Sequence, residues 1–194
     1  MSGMSPAHAR TSDAAIHAAA TELLESGGLD ALTMRAVAKV VGVQAPSLYK
    51  RVRDRAALVR AVQEDALGEL AAELERSAVG LDPRRDIVTM VDAFRAFAHR
   101  RPGAYDLLFT ALPEELRISP EANRAAVEPL FRVLAPLAGG DPERTLEAAR
   151  LLVAFAHGFV SMELAGAFRL GGDVEAAWRA GVATIVDAVG PPRH

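Results

Sequence analysis

Residues 33 to 60 read TMRAVAKVVGVQAPSLYKRVRDRAALVR, and a threonine, a glycine and a proline in that stretch leave the backbone few choices. Thr33 supplies the hydroxyl that caps a helix, and Val37, Ala38, Val40 and Val41 follow at three- and four-residue spacing as its apolar face. Gly42 ends that helix, because glycine enters the left-handed conformation without a Cβ penalty; Val43 then packs back as a plug in the turn. Ala38 is small enough for the next helix to cross closely. That helix begins near Gln44 with Pro46 in its first turn, where a missing N–H costs nothing, and runs to about Arg51 with Leu48 as its buried anchor. Two short helices joined by a tight turn, followed by a longer helix opening at a basic cluster, define a helix-turn-helix.

In that motif the second helix enters the major groove, so its exposed positions carry the chemistry. Here they are Gln44, Ala45, Ser47, Tyr49 and Lys50. Gln44 can pair with adenine N6 and N7, Ala45 offers a methyl-sized contact to thymine, and Ser47 donates or accepts. Tyr49, Lys50, Arg51, Arg53 and Arg55 suit phosphates, which set register and salt dependence without reading sequence. Residues 33 to 60, with Arg35 among them, carry seven lysines or arginines against one acid, Asp54, a net +6 inside a chain whose net charge is −3. Local positive potential, not the acidic whole-chain balance, is what draws nucleic acid.

The segment GLDALTMRAVAKVVGVQAPSLYKRVRDRAALVRAV resembles the N-terminal DNA-binding domain of TetR-type transcriptional regulators. The shared features are Thr33, Ala38, Gly42 with Val43, Leu48 with Tyr49, Val52 and Arg55, and the likeness covers about residues 12 to 65. Val52 stands where the family more often has Phe, and Arg55 where it more often has Lys. The resemblance implies Thr33, Tyr49 and Arg55 on phosphates, and Gln44, Ser47 and Lys50 toward the groove. It also implies that displacement of a long fourth helix carries an effector signal to the DNA-binding head.

Hydrophobic residues make up 51% of the chain but aromatics only 5%, so the core is mostly Ala, Leu and Val, a composition that favours helices. Cysteine is absent, which removes disulfides and thiolate chemistry. The expected fold is all-α with about nine helices: a flexible arm at 1–11, a three-helix DNA-binding head at 12–56, and a ligand-binding and dimerisation body at 57–194. The first ten residues lack a signal-peptide core, giving the expectation of a cytoplasmic protein.

Thr11 or Ser12 caps the first helix, stopped by Gly27 and Gly28; Asp82, Asp141 and Asp173, the first two followed by proline, cap later ones. Nine of the ten aromatic residues lie beyond residue 90. Phe94, Phe97, Tyr105, Phe109, Phe131, Phe155, Phe159 and Met162 are therefore candidates to line an apolar ligand cavity, with His157 as its polar anchor. Plain core filling explains each of them singly as well. Ala154, Gly158, Ser161 and Ala165, and then Ala177, Gly181, Thr184 and Ala188, form two small-residue stripes that let helices approach closely. They point to a two-fold dimer through the last two helices, the pair by which TetR-type regulators dimerise. The FAHGFVSMELAGAF segment also resembles, more weakly, a C-terminal subgroup of that family with an aromatic-x-His-Gly signature at Phe155, His157 and Gly158.

No hydrolase, metalloprotease, dinucleotide or P-loop motif occurs, and neither His99 nor His157 has an acid three or four residues on. No catalytic residue, metal or cofactor is expected. Three readings of function are weighed: a regulator, acting as a repressor released from operator DNA by a small apolar or aromatic effector; a helical small-molecule carrier without operator binding; and an all-helical enzyme, which is weakened because His157 and Glu163, six residues apart, do not share a helix face. The intact basic cluster favours the first.

Overall fold

The computed structural model describes residues 12–80 and 82–189, and among them every regular element is helical. In chain order these are α1 (Asp13–Ala31), α2 (Met34–Val41), α3 (Ala45–Leu48), α4 (Arg55–Ser77), α5 (Pro83–Arg100), α6 (Pro102–Phe109), a 3-10 turn at Glu114–Leu116, α7 (Pro120–Leu137), α8 (Pro142–Leu164) and α9 (Val174–Val189). The all-α expectation holds across the described residues. The arm at 1–11, and with it Thr11 as a cap, lies outside them.

The chain divides into two compact units, one of Met1–Leu67 with Arg101–Ala122 and one of Gly68–Arg100 with Asn123–His194. Packing thus draws its line elsewhere than after residue 56, because the start of α4 and all of α6 share the first unit's core.

That core is aliphatic. Leu24 of α1, Val37 of α2, Leu48 of α3, Val59 and Val62 of α4 and Leu107 of α6 are all at most 1% exposed. Each such side chain contributes roughly 1.5–3 kcal/mol on leaving water. Ser12 caps α1 through the Ala15 N–H at 3.1 Å. The expected stop at Gly27 and Gly28 is a kink instead: Gly28 takes φ 67°, ψ −168°, and helix resumes to Ala31. Gly103 lets α6 lie against α1, since a Cβ there would come within 2.5 Å of the Leu24 carbonyl oxygen. Glu25 fastens the joint, accepting from the Gly103 N–H at 2.8 Å and pairing with Arg101 at 2.7 Å. A carboxylate facing the first N–H groups of a helix also suits the helix dipole.

The second unit packs α5 on α8 and α9. Ile87, Met90 and Phe97 of α5, Leu152 and Val160 of α8, and Trp178 of α9 are all buried. Asp141 caps α8 through the Glu143 N–H at 2.9 Å, and Asp173 caps α9 through the Ala176 N–H at 3.0 Å. Buried Asp86, early in α5, accepts from the Val79 and Gly80 N–H groups at 3.0 and 2.9 Å and closes the turn after α4. α7 carries Pro129 and Pro136 within its span, with Leu130 and Leu134 buried and Val127 40% exposed. No described helix is long and apolar enough to cross a membrane.

Candidate nucleic-acid interface

Thr33 caps α2, its Oγ1 accepting from the Ala36 N–H at 3.1 Å. The hydroxyl hydrogen stays available to an acceptor outside the protein. Met34, Val37 and Ala38 form the inward face of α2, while Val40 is 45% exposed, so the expected stripe is shifted by a fraction of a turn. Gly42 stands in the left-handed region at φ 73°, ψ 36°, and the Val43 N–H reaches back to the Ala38 carbonyl at 2.9 Å. This bond pattern ends a helix and aims the chain into the next one.

α3 is a single helical turn, shorter than the Gln44 to Arg51 span expected, and it continues as a turn held by Arg51 and Val52 N–H bonds to the Leu48 carbonyl, both 2.8 Å. Leu48 is fully buried, so rotation of this turn is set by one anchor. Gln44, Tyr49 and Lys50 are exposed, Tyr49 at 55%, and Ala45 and Ser47 are half-buried beside them. Arg35, Arg51 and Arg53 are exposed as well. Arg51 faces Asp13 at 3.6 Å, and Arg53 donates to Asp54 at 2.8 Å.

Asp54 is the N-terminal cap of α4 that sequence reasoning missed, its Oδ1 accepting from the Ala57 N–H at 2.7 Å. That backbone bond, then the Arg53 hydrogen bond, holds the Asp54 carboxyl below its ordinary range. The local signal was present, an aspartate three residues before the first helical N–H it could reach.

Arg55 has a role inside the protein that the sequence did not suggest. Its Nε donates to the Leu32 carbonyl and its Nη2 to the Leu29 carbonyl, both at 2.7 Å. The guanidinium thereby braces the start of α4 against the end of α1.

The body residues scatter. Tyr105 and Phe109 belong to the first unit, 5.1 Å apart ring to ring. Phe155 stacks on Trp178 at 5.7 Å, and Phe159 meets Trp178 at 5.2 Å and Phe168 at 4.8 Å, so their faces are filled by one another. Phe97 is fully buried, Phe131 and His157 are half-buried, and Met162 is 48% exposed. The second unit does contain a small apolar cleft of about 50 Å³, between Leu74 of α4, Met90, Val91 and Phe94 of α5, and Leu130 of α7. Its remaining wall is Leu152, Val153 and Ala156 of α8. Of the nine expected ligand residues, Phe94 is the one found there.

The small-residue stripes divide in a similar way. Ala154, Gly158, Ala165, Ala177, Thr184 and Ala188 are exposed, Ser161 is half-buried, and a Cβ on Gly158 would meet open space. Gly181 is used inside the chain, because a Cβ there would lie 2.3 Å from the Phe155 ring. Its smallness makes room for the Phe155–Trp178 stack.

Arg95, unremarked in the sequence, organises the second unit. It grips Glu163 with two donors at 2.6 and 2.9 Å, reaches Glu175 at 2.6 Å, and lies 5.1 Å over the Trp178 ring. Trp178 Nε1–H donates to Asp92 at 2.7 Å, and His99 Nε2 sits 2.9 Å from Glu163. The Arg95 hydrogen bonds, helped by His99, pull the Glu163 carboxyl down to about 2, and Glu163 in turn raises the Arg95 guanidinium.

A capped helix, a left-handed glycine turn and an exposed polar face on a one-turn helix define a helix-turn-helix DNA-binding protein. Residues 16–62 match the model for bacterial regulatory proteins of the tetR family, and residues 87–185 match the tetracyclin repressor-like C-terminal domain. An HTH-type transcriptional regulator of Mycobacterium tuberculosis is 34% identical over 161 residues, covering 81% of this chain and 72% of that protein. A Rhodococcus protein of unknown function superposes with TM-score 0.76 at 24% identity, over 91% of this chain and 94% of its own. A TetR variant from Acinetobacter baumannii, solved with minocycline, gives TM-score 0.66 at 25% identity, over 91% and 95%. The chain belongs to the TetR family of transcriptional regulators, DNA-binding proteins and not enzymes.

Proposed function

We propose that the protein is a cytoplasmic, dimeric repressor that binds operator DNA through Gln44, Ala45, Ser47, Tyr49 and Lys50 and releases it on taking up a small effector. The observation that carries this reading is the pairing of a fully buried Leu48 with exposed Gln44, Tyr49 and Lys50 around it. Such a turn has one orientation and offers donors, acceptors and a cation to a groove. Thr33, Arg35, Arg51 and Arg53 would meet phosphates on either side.

Functionally, 12–56 reads DNA and 57–194 binds ligand and dimerises. The exposed small-residue faces of α8 and α9 support the dimer, since two half-sites about 34 Å apart call for two heads. The effector role draws on the minocycline complex of the Acinetobacter relative and on the apolar cleft of the second unit.

The test is fluorescence anisotropy with the DNA flanking the protein's own gene, at two salt concentrations, for wild type, Tyr49→Ala and Lys50→Ala. Saturable binding that weakens steeply with salt, and weakens in both variants, is expected; Lys50→Ala should lower the salt slope by about one unit. Binding indifferent to sequence and to both substitutions, there and on genome-selected fragments, would move the protein to the carrier class.

A further inference from the structure

We infer that Lys50 is an acylation switch: transfer of an acyl group onto its Nζ from a phosphate-bearing activated acyl donor takes the protein off operator DNA. This goes beyond the function proposed above and rests on its DNA-binding reading. Of the chain's 22 cationic side chains 20 are arginine, and the two lysines, Lys39 and Lys50, both lie in the helix-turn-helix. Residues 61–194 contain no lysine. A guanidinium keeps its charge, whereas a lysine amine loses it on acylation. An acyl donor that meets this protein therefore finds side-chain amines in the DNA-binding head and nowhere else.

The head's cations also differ in how they are held. Arg51 faces Asp13, Arg53 is bonded to Asp54, and Arg55 is held by the Leu29 and Leu32 carbonyls. Lys50 is exposed at the end of the reading turn, and among the described residues neither its amine nor that of Lys39 meets a hydrogen-bond or ion-pair partner. The net +6 of residues 33 to 60 draws an anionic donor to this surface. The neutral amine of Lys50 attacks the donor's carbonyl carbon. The N–C bond forms, the C–O or C–S bond breaks, phosphate or thiolate leaves with the electron pair, and the surplus amine proton goes to water. What remains is an uncharged, bulkier amide that neutralises no phosphate. DNA in contact with the turn covers Lys50, so the reaction takes the free protein and keeps it free. Lys39, on α2, lies outside the turn that meets the bases.

The full-length protein is treated with acetyl phosphate and, separately, with acetyl-coenzyme A. Acetylated positions are mapped by mass spectrometry, and anisotropy on the operator duplex is measured before and after. Lys50 should be acetylated, more slowly at high salt and more slowly still when operator DNA is bound. Operator affinity should fall at least about ten-fold, and the salt slope of the binding that remains should drop by about one unit. Lys50→Arg cannot take the acyl group, so its own affinity, whatever the value, should be the same before and after treatment; Lys39→Arg should respond as fully as wild type. The donor that acetylates Lys50 at the lower concentration identifies the source. Full acetylation of Lys50 with unchanged affinity, a loss of affinity that persists in Lys50→Arg, or a Lys50 left unmodified by both donors would overturn the switch and leave the DNA-binding reading standing. Untreated protein that binds no operator would refute both.

Discussion

The two units solve the same packing problem with different materials. The first closes on an aliphatic cluster, buries Tyr105 as well, and exposes Arg35, Lys50, Arg51 and Arg53. The second closes around Trp178 and three phenylalanines, holds Arg95 and Glu163 mostly inside, and leaves Leu151, Met162 and Leu164 of α8 exposed. Under the function proposed above, the contrast follows from what each would meet. A surface that neutralises phosphates needs solvated charge on a small rigid frame, while a surface that meets another helix needs exposed apolar atoms, with its charges tied up elsewhere.

The sharpest way to break this contrast is Leu48→Ala, which removes the single anchor of α3 and should cost about 2–5 kcal/mol in urea unfolding, with loss of operator binding. A cost near zero would mean that something other than aliphatic packing holds the reading turn. Next comes Gly103→Ala. Its Cβ meets backbone and not a movable side-chain tip, so overpacking of about 1–3 kcal/mol is expected in thermal melts.

The third prediction probes the ion pair of the second unit. Glu163 has its pKa depressed in the folded chain, so its contribution is fully present above the unfolded carboxylate value near 4.5 and is lost as pH falls toward about 2. Glu163→Gln should therefore lower stability at pH 7 by about 1.5–3 kcal/mol, the worth of a charge-assisted bond, and flatten the acid limb of the stability curve below pH 4.5. An unchanged acid limb would show that the Arg95–Glu163 pair adds no net stability to the fold.

The smallest effects come from paired glycine tests. Gly42→Ala, at positive φ, should cost about 1 kcal/mol. Gly158→Ala points into open space in the single chain and should stabilise the α8 helix by about 0.5–1 kcal/mol. If the α8 and α9 faces pair between subunits, the same substitution weakens dimerisation in sedimentation experiments, so the two readouts move in opposite directions.

What could be read from sequence is local. Ser12, Thr33, Asp141 and Asp173 cap helices whose N–H groups lie two or three residues away, and Gly42 ends a helix through its own φ. Hydrophobic spacing also found Val37, Ala38 and Leu48, all of them buried. What the sequence did not show has one physical origin. Arg55 was read by its charge, and the partners it braces, Leu29 and Leu32, are 26 and 23 residues away. Small size placed Gly181 at a dimer face, yet the Phe155 ring that needs the space comes from a different helix.

The sequence by itself determined an all-helical chain, its caps, its left-handed turn and the order of residues across the reading turn, because each depends on bonds within a few residues. Tertiary structure alone decided that α6 joins the first unit through Gly103 and Glu25, that the late rings fill one another's faces, and that an apolar cleft remains beside Phe94. Those outcomes turn on which surfaces meet across long stretches of chain, and helical periodicity says which face is apolar without saying what it will face.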